Sequence, residues 1–128
     1  MREEFELKTE GKLVQQLANG QQHIAEFLTL LFNGEGSPNY LAMCERLVAY
    51  HNKDGGSPEV DKFEIVEAKF DEKILSGYFK CVFAVNFFYT CSDIRNSAKD
   101  TIRWDFKLDQ DKETIHFTGE EPWIRDAE

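Results

Sequence analysis

The run Tyr78-Phe79-Lys80-Cys81-Val82-Phe83-Ala84-Val85-Asn86-Phe87-Phe88-Tyr89-Thr90-Cys91 constrains the fold more than any other part of the chain. It is too rich in aromatic and β-branched residues for a surface helix, and no proline interrupts it. It predicts a long β-strand from about Leu75 to Cys91. Fully extended, that strand would reach ~56 Å, well past the usual strand length. A bend is therefore expected, at Gly77 or Asn86.

Strands surround this one. Val60 to Phe70 reads as a strand whose apolar phase slips, with Phe63 and Ile65 on one parity and Val66, Ala68 and Phe70 on the other. A β-bulge or a bend near Ile65 would reconcile them. Asp71-Glu72-Lys73 turns the chain, and Ser92 to Ala98 reads as a polar connection. Alternation is cleanest in the third strand: Ile102, Trp104, Phe106 and Leu108 face one way, Thr101, Arg103, Asp105, Lys107 and Asp109 the other. In the fourth, Ile115 and Phe117 point inward, with Thr114, His116 and Thr118 outward.

Helical periodicity precedes the strands. Leu13, Leu17, Ile24, Leu28 and Leu31 share one stripe, which Asn19-Gly20 kinks or splits and Asn33-Gly34 ends. A second helix opens at Ser37-Pro38 with Tyr40, Cys44, Leu47 and His51 on its stripe, and Asn52 to Pro58 reads as a loop. Helices followed by consecutive strands predict an α+β fold: two N-terminal helices packed on a curved four-stranded antiparallel sheet, in a single domain over residues 1–128, with an acidic tail at 120–128.

This order of elements, over roughly residues 12 to 118, resembles the cystatin-like architecture that includes the NTF2-like superfamily. The resemblance implies a curved sheet wrapped around a leading helix. Among NTF2-like members it also implies a ligand or catalytic pocket between helix and sheet. The helix those members insert between the early hairpin and the later strands has no counterpart after Val60.

Charge and cysteine content narrow the function classes. A chain of 128 residues with 41% apolar side chains can bury a core without metals or disulfides. Its net charge of −9 opposes nucleic acid and anionic membranes and favours solubility or a basic partner. Cys44, Cys81 and Cys91 form an odd set without metal-ligand spacing, and free thiols fit a reducing, cytoplasmic compartment. The first residues carry no apolar stretch of the kind a signal peptide needs, and no run reaches transmembrane length.

No constellation supplies a nucleophile, a base and an orienting group, and no metal or cofactor is expected. His23 reads as a boundary residue, and His51 as a cation at a helix end. His116 is expected to meet Asp105 or Asp109 across its hairpin, as an acid/base pair or as a plain surface pair. Asp109, Asp111 and Glu113 read as a solvated turn, and Cys81 as an inert apolar thiol.

The long strand poses the sharper question. With Phe79, Cys81, Phe83, Val85, Phe87 and Tyr89 on the core face, Tyr78, Val82, Ala84 and Phe88 fall on the wet one. Three arrangements would account for them: Trp123 and Ile124 of the tail folding back, a second subunit covering them as a homodimer, or a register shift at Asn86 that returns Phe88 to the core. The first functional expectation is a non-catalytic interaction protein, an inhibitor, immunity-type protein or adaptor, with Arg103, Asp105, Lys107, His116, Asp93 and Arg95 as contacts. The alternatives are a small-molecule pocket or enzyme site lined by Tyr40, Tyr50, Tyr89 and Trp104, and a structural subunit of an assembly.

Overall fold

In the computed structural model, residues 2–51, 57–89 and 94–121 are described, with the side chains at 88–89 and 94–96 excepted. The elements are β1 (Glu4–Lys8), α1 (Gly11–Ala18), α2 (Ile24–Phe32), α3 (Pro38–Ala49), β2 (Ser57–Glu59), β3 (Phe63–Asp71), β4 (Ser76–Tyr89), β5 (Ile94–Asp109) and β6 (Thr114–Gly119). The fold class is α+β, three helices with a curled antiparallel half-barrel sheet. The sheet runs β1-β6-β5-β4, and β2 and β3 share the far side of β4.

Several expectations need correcting. The leading helical stripe is two helices: Gly20 takes a φ of +73°, Gln21 N–H donates to Gln16 O and Gly20 N–H to Leu17 O, closing α1 in a Schellman motif. His23 is the N-cap of α2, its Nδ1 accepting from Ala25 N at 3.2 Å. Residues 94–98, expected as a polar connection, are the start of β5, and Ser57-Pro58, expected as loop, belong to β2. The four expected strands are joined by β2 and by β1, at an end of the chain where none was expected. The bulge sits past Ile65: pairing with β4 slips between Val66 and Lys69, where Glu67 adopts a φ of +53°. That slip turns Ala68 and Phe70 toward the core side and leaves Val66 exposed. Thr114, expected outward, is buried.

The other inward positions of the later strands are met where their side chains are described. Phe79, Cys81, Phe83, Val85 and Phe87 are buried, as are Ile102, Trp104, Phe106, Leu108, Ile115 and Phe117. Helix α2 lays Phe32 over the middle of the sheet, with its ring 5.4 Å from Phe63, 6.5 Å from Phe79 and 5.9 Å from Phe117. Ser37 caps α3 by accepting from Tyr40 N at 3.4 Å, and its hydroxyl donates to Phe32 O. Asn39 Nδ2 donates to Leu31 O at 2.8 Å, so both bonds fix α3 against the end of α2.

Candidate functional site

The face of the sheet turned away from the helices is set by register. Tyr78 stands opposite Asp105, Lys80 opposite Arg103, Val82 opposite Thr101, and Ala84 opposite Lys99. β6 extends the rows with Lys107 opposite His116 and Asp105 opposite Thr118. β1 completes them with Glu6 opposite His116 and Glu4 opposite Thr118.

Arg103 organises the middle of this face. Its guanidinium lies 4.0 Å from the Tyr78 ring centre and 3.1 Å from Asp105 Oδ1, while its backbone N–H donates to Glu120 Oε1 at 2.7 Å. A planar cation stacked on a ring and held at its edge has few conformations left to lose on contact with a partner. Lys80 reaches Glu67 on the bulge at 2.8 Å. That hydrogen bond holds the Glu67 carboxyl below its usual range and lifts the Lys80 ammonium above its own. Both pairs are open to solvent, so they shape the surface more than they stabilise the fold.

His116 does not meet Asp105 or Asp109. Those residues pair with Thr118 and Thr114, and His116 faces Lys107 instead. Its carboxylate neighbours come from β1: Glu4 Oε1 lies 3.9 Å from Nε2 and Glu6 Oε2 lies 3.8 Å from Nδ1. The strict alternation Glu4-Phe5-Glu6-Leu7-Lys8 is the signal that would have revealed this strand.

Beside these charges runs the apolar strip. Tyr78, Val82 and Ala84 are half-buried on the outer face, and Val66 is exposed next to Lys80. A register shift at Asn86 does not explain them, because the β4–β5 ladder runs unbroken from Ser76 opposite Lys107 to Tyr89 opposite Ile94. Trp123, Ile124 and Asp93 lie outside the described residues, as do the side chains of Phe88, Tyr89 and Arg95. Where β3 turns into β4, Lys69, Ile74, Tyr78, Arg103 and Asp105 border a groove of about 480 Å³. Ile74 is 62% exposed there, an apolar residue just after the Asp71-Glu72-Lys73 turn.

Of the four residues expected around a pocket, Tyr40, Tyr50 and Trp104 have described side chains. Tyr40 stacks on Phe63 with ring centres 4.4 Å apart; its hydroxyl accepts from Phe63 N at 2.9 Å and donates to Phe63 O at 3.2 Å. Tyr50 donates to Glu120 O at 2.7 Å. Trp104 is fully buried against the edges of Phe5 and Tyr50, and its Nε1 has no hydrogen-bond partner among the described residues. On the same inner side, His51 Nε2 lies 2.7 Å from Asp100 Oδ2, with the Phe83 and Phe87 rings edge-on to the imidazole. Sequence reading missed Asp100. It occupies the inward parity of Ile102 and Trp104, where a carboxylate calls for a partner.

Among the described residues no group of His, Cys, Asp and Glu side chains is placed to hold a metal ion, and no described helix is long and apolar enough to cross a membrane. Burial pushes the Cys44 thiol up to about 11, and the Cys81 thiol well above its ordinary range.

Fold and surface together define an α+β protein whose helices and inner sheet face bury one aromatic core and whose outer sheet face bears an apolar strip among charges. Comparison with protein-family models, curated proteins and solved structures finds no match to the chain.

Proposed function

We propose that this chain is a non-catalytic binding protein that meets another protein on the outer face of its sheet. The observation that carries the reading is the apolar strip of Tyr78, Val82 and Ala84, half-buried and bordered by Arg103, Asp105, Lys107 and His116. A desolvated centre with a polar rim is the anatomy of a protein contact, and a stacked Arg–Tyr pair supplies the residue types that dominate such contacts. The net charge of −9 attracts a basic partner at long range, while mixed signs on the face itself select orientation. An inhibitor, an immunity-type protein or a subunit of an assembly would each use such a face. We also read the helices within a curled sheet as cystatin-like or NTF2-like, an arrangement in which the sheet is a rigid platform.

The test is affinity capture from cells expressing the protein, with wild type compared to the double variant Arg103→Glu, Lys107→Glu. A partner held by wild type, released by added salt and lost from the variant at unchanged thermal stability supports the proposal. Equal capture by both proteins ends it. A second copy on the same strip is the other occupant, and loss of a dimer on Val82→Glu, seen by light scattering, identifies it.

The small-molecule reading has one support, a groove of about 470 Å³ walled by Tyr40, Phe63, Val82, Phe83 and Ala84, with Lys62 and Lys99 balanced by Glu35 and Glu64. It opens where β4 passes between its pairings with β3 and β2. A thermal shift with small apolar ligands, abolished by Ala84→Trp, would support it.

A further inference from the structure

We propose that the open edge of β1 pairs with β1 of a second copy of this chain, antiparallel and about a two-fold axis at Glu6. β1 ends the sheet: β6 is its one strand partner among the described residues. Glu3 O accepts from Gly119 N and Thr9 N donates to Glu113 O, both toward β6. The alternate residues Glu4, Glu6 and Lys8 therefore turn their amides and carbonyls to the open side. Such an edge is a template for another strand.

The side chains choose which strand. About a two-fold axis at Glu6, Glu4 of each copy stands opposite Lys8 of the other, giving two opposite-charge cross-strand pairs. The like-charge contact, Glu6 against Glu6, lies beside a His116 ring in each copy, 3.8 Å from the carboxylate. On the inner face Phe5 of one copy meets Leu7 of the other. Leu7 is partly exposed in the single chain although it packs on the core, so pairing covers it. Parallel pairing in register would set Glu4 on Glu4 and Lys8 on Lys8. An antiparallel slip that opposes Glu4 to Glu6 brings carboxylates together; the opposite slip pairs Glu6 with Lys8 but carries Glu4 to Glu10, past the end of β1, and leaves only Glu6 to Lys8 paired within the strand. The register about Glu6 is the one that pairs β1 along its whole length with the charges at both of its ends matched. A five-residue edge is small beside a standard interface, so the dimer forms as concentration rises rather than being permanent.

Sedimentation velocity over a concentration series tests this, with circular dichroism confirming the fold of each variant. Wild type is expected to shift from monomer to dimer. Glu4→Lys and Lys8→Glu should each remain monomeric, and the double variant E4K/K8E should dimerise again, because the pair is restored with its signs exchanged. Amides of Glu4, Glu6 and Lys8 should gain hydrogen-exchange protection with concentration. Val82→Glu, on the outer face used in the proposed function, should leave the dimer intact. A wild type monomeric into the millimolar range, single variants that associate like wild type, a double variant that stays monomeric, or a dimer dissolved by Val82→Glu would each overturn the proposal.

Discussion

Tyr40 joins α3 to β3 through both backbone groups of one residue, accepting from Phe63 N and donating to Phe63 O. Removing the hydroxyl in Tyr40→Phe strands two buried groups, and urea unfolding should show a loss of about 2 kcal/mol. Gly119 answers to a different constraint. A Cβ there would fall 2.2 Å from Tyr50 Oη and 2.9 Å from the Trp104 ring, so Gly119→Ala should cost about 2 kcal/mol by overpacking, read as a lower melting temperature. The thiols carry a pH signature. Burial raises Cys44 from 9.0 to about 11, and Cys81 moves the same way. Between those values the unfolded chain sheds a proton that the folded chain keeps, so stability is fully present below pH 9 and falls as pH rises toward 11. The fall in melting temperature across that window should lessen in Cys44→Ala and lessen further when Cys81→Ala is added, and native Cys44 and Cys81 should resist thiol reagents that modify the unfolded chain.

Elements were legible where their own periodicity carried the signal. Ile102, Trp104, Phe106 and Leu108 alternate without a break, and the inward side of β5 follows from them. The Ser37-Pro38 start of α3 was legible for the same reason, since a cap and a first-turn proline act locally. Ser37→Ala should cost about 1 kcal/mol in denaturant unfolding. What stayed hidden depended on distant partners. β1 alternates, but nothing in its own residues names β6 as its partner, and its place there puts Glu4 and Glu6 next to His116, which sequence had assigned to carboxylates in its own hairpin. The bulge was legible as a phase slip but not at Glu67, because a residue at positive φ leaves no apolar mark. Arg103 and Asp105 were expected as partner contacts. Their clasp around Tyr78 depends on a cross-strand register that only the β4–β5 ladder fixes.

At the scale of the molecule, the β4–β5 hairpin is the spine on which everything else is hung. β3 and β2 share one side of it, β6 and then β1 take the other, and the three helices fill the hollow with Phe27, Leu28, Met43 and Leu47 fully buried. The apolar strip on its back and the charged rows across β5 and β6 are therefore held by the most extensively paired strands of the sheet, which suits a surface that must keep its shape in contact. β1 stands in the opposite position. Its stack of Phe5 on Phe117, with ring centres 4.9 Å apart, joins residues more than a hundred positions apart in the chain. During synthesis on the ribosome, the first strand to emerge must wait for nearly the last before it can dock. Until then its greasy side faces the cellular milieu, and a nascent chain stalled before residue 114 should be held by chaperones that release the finished protein.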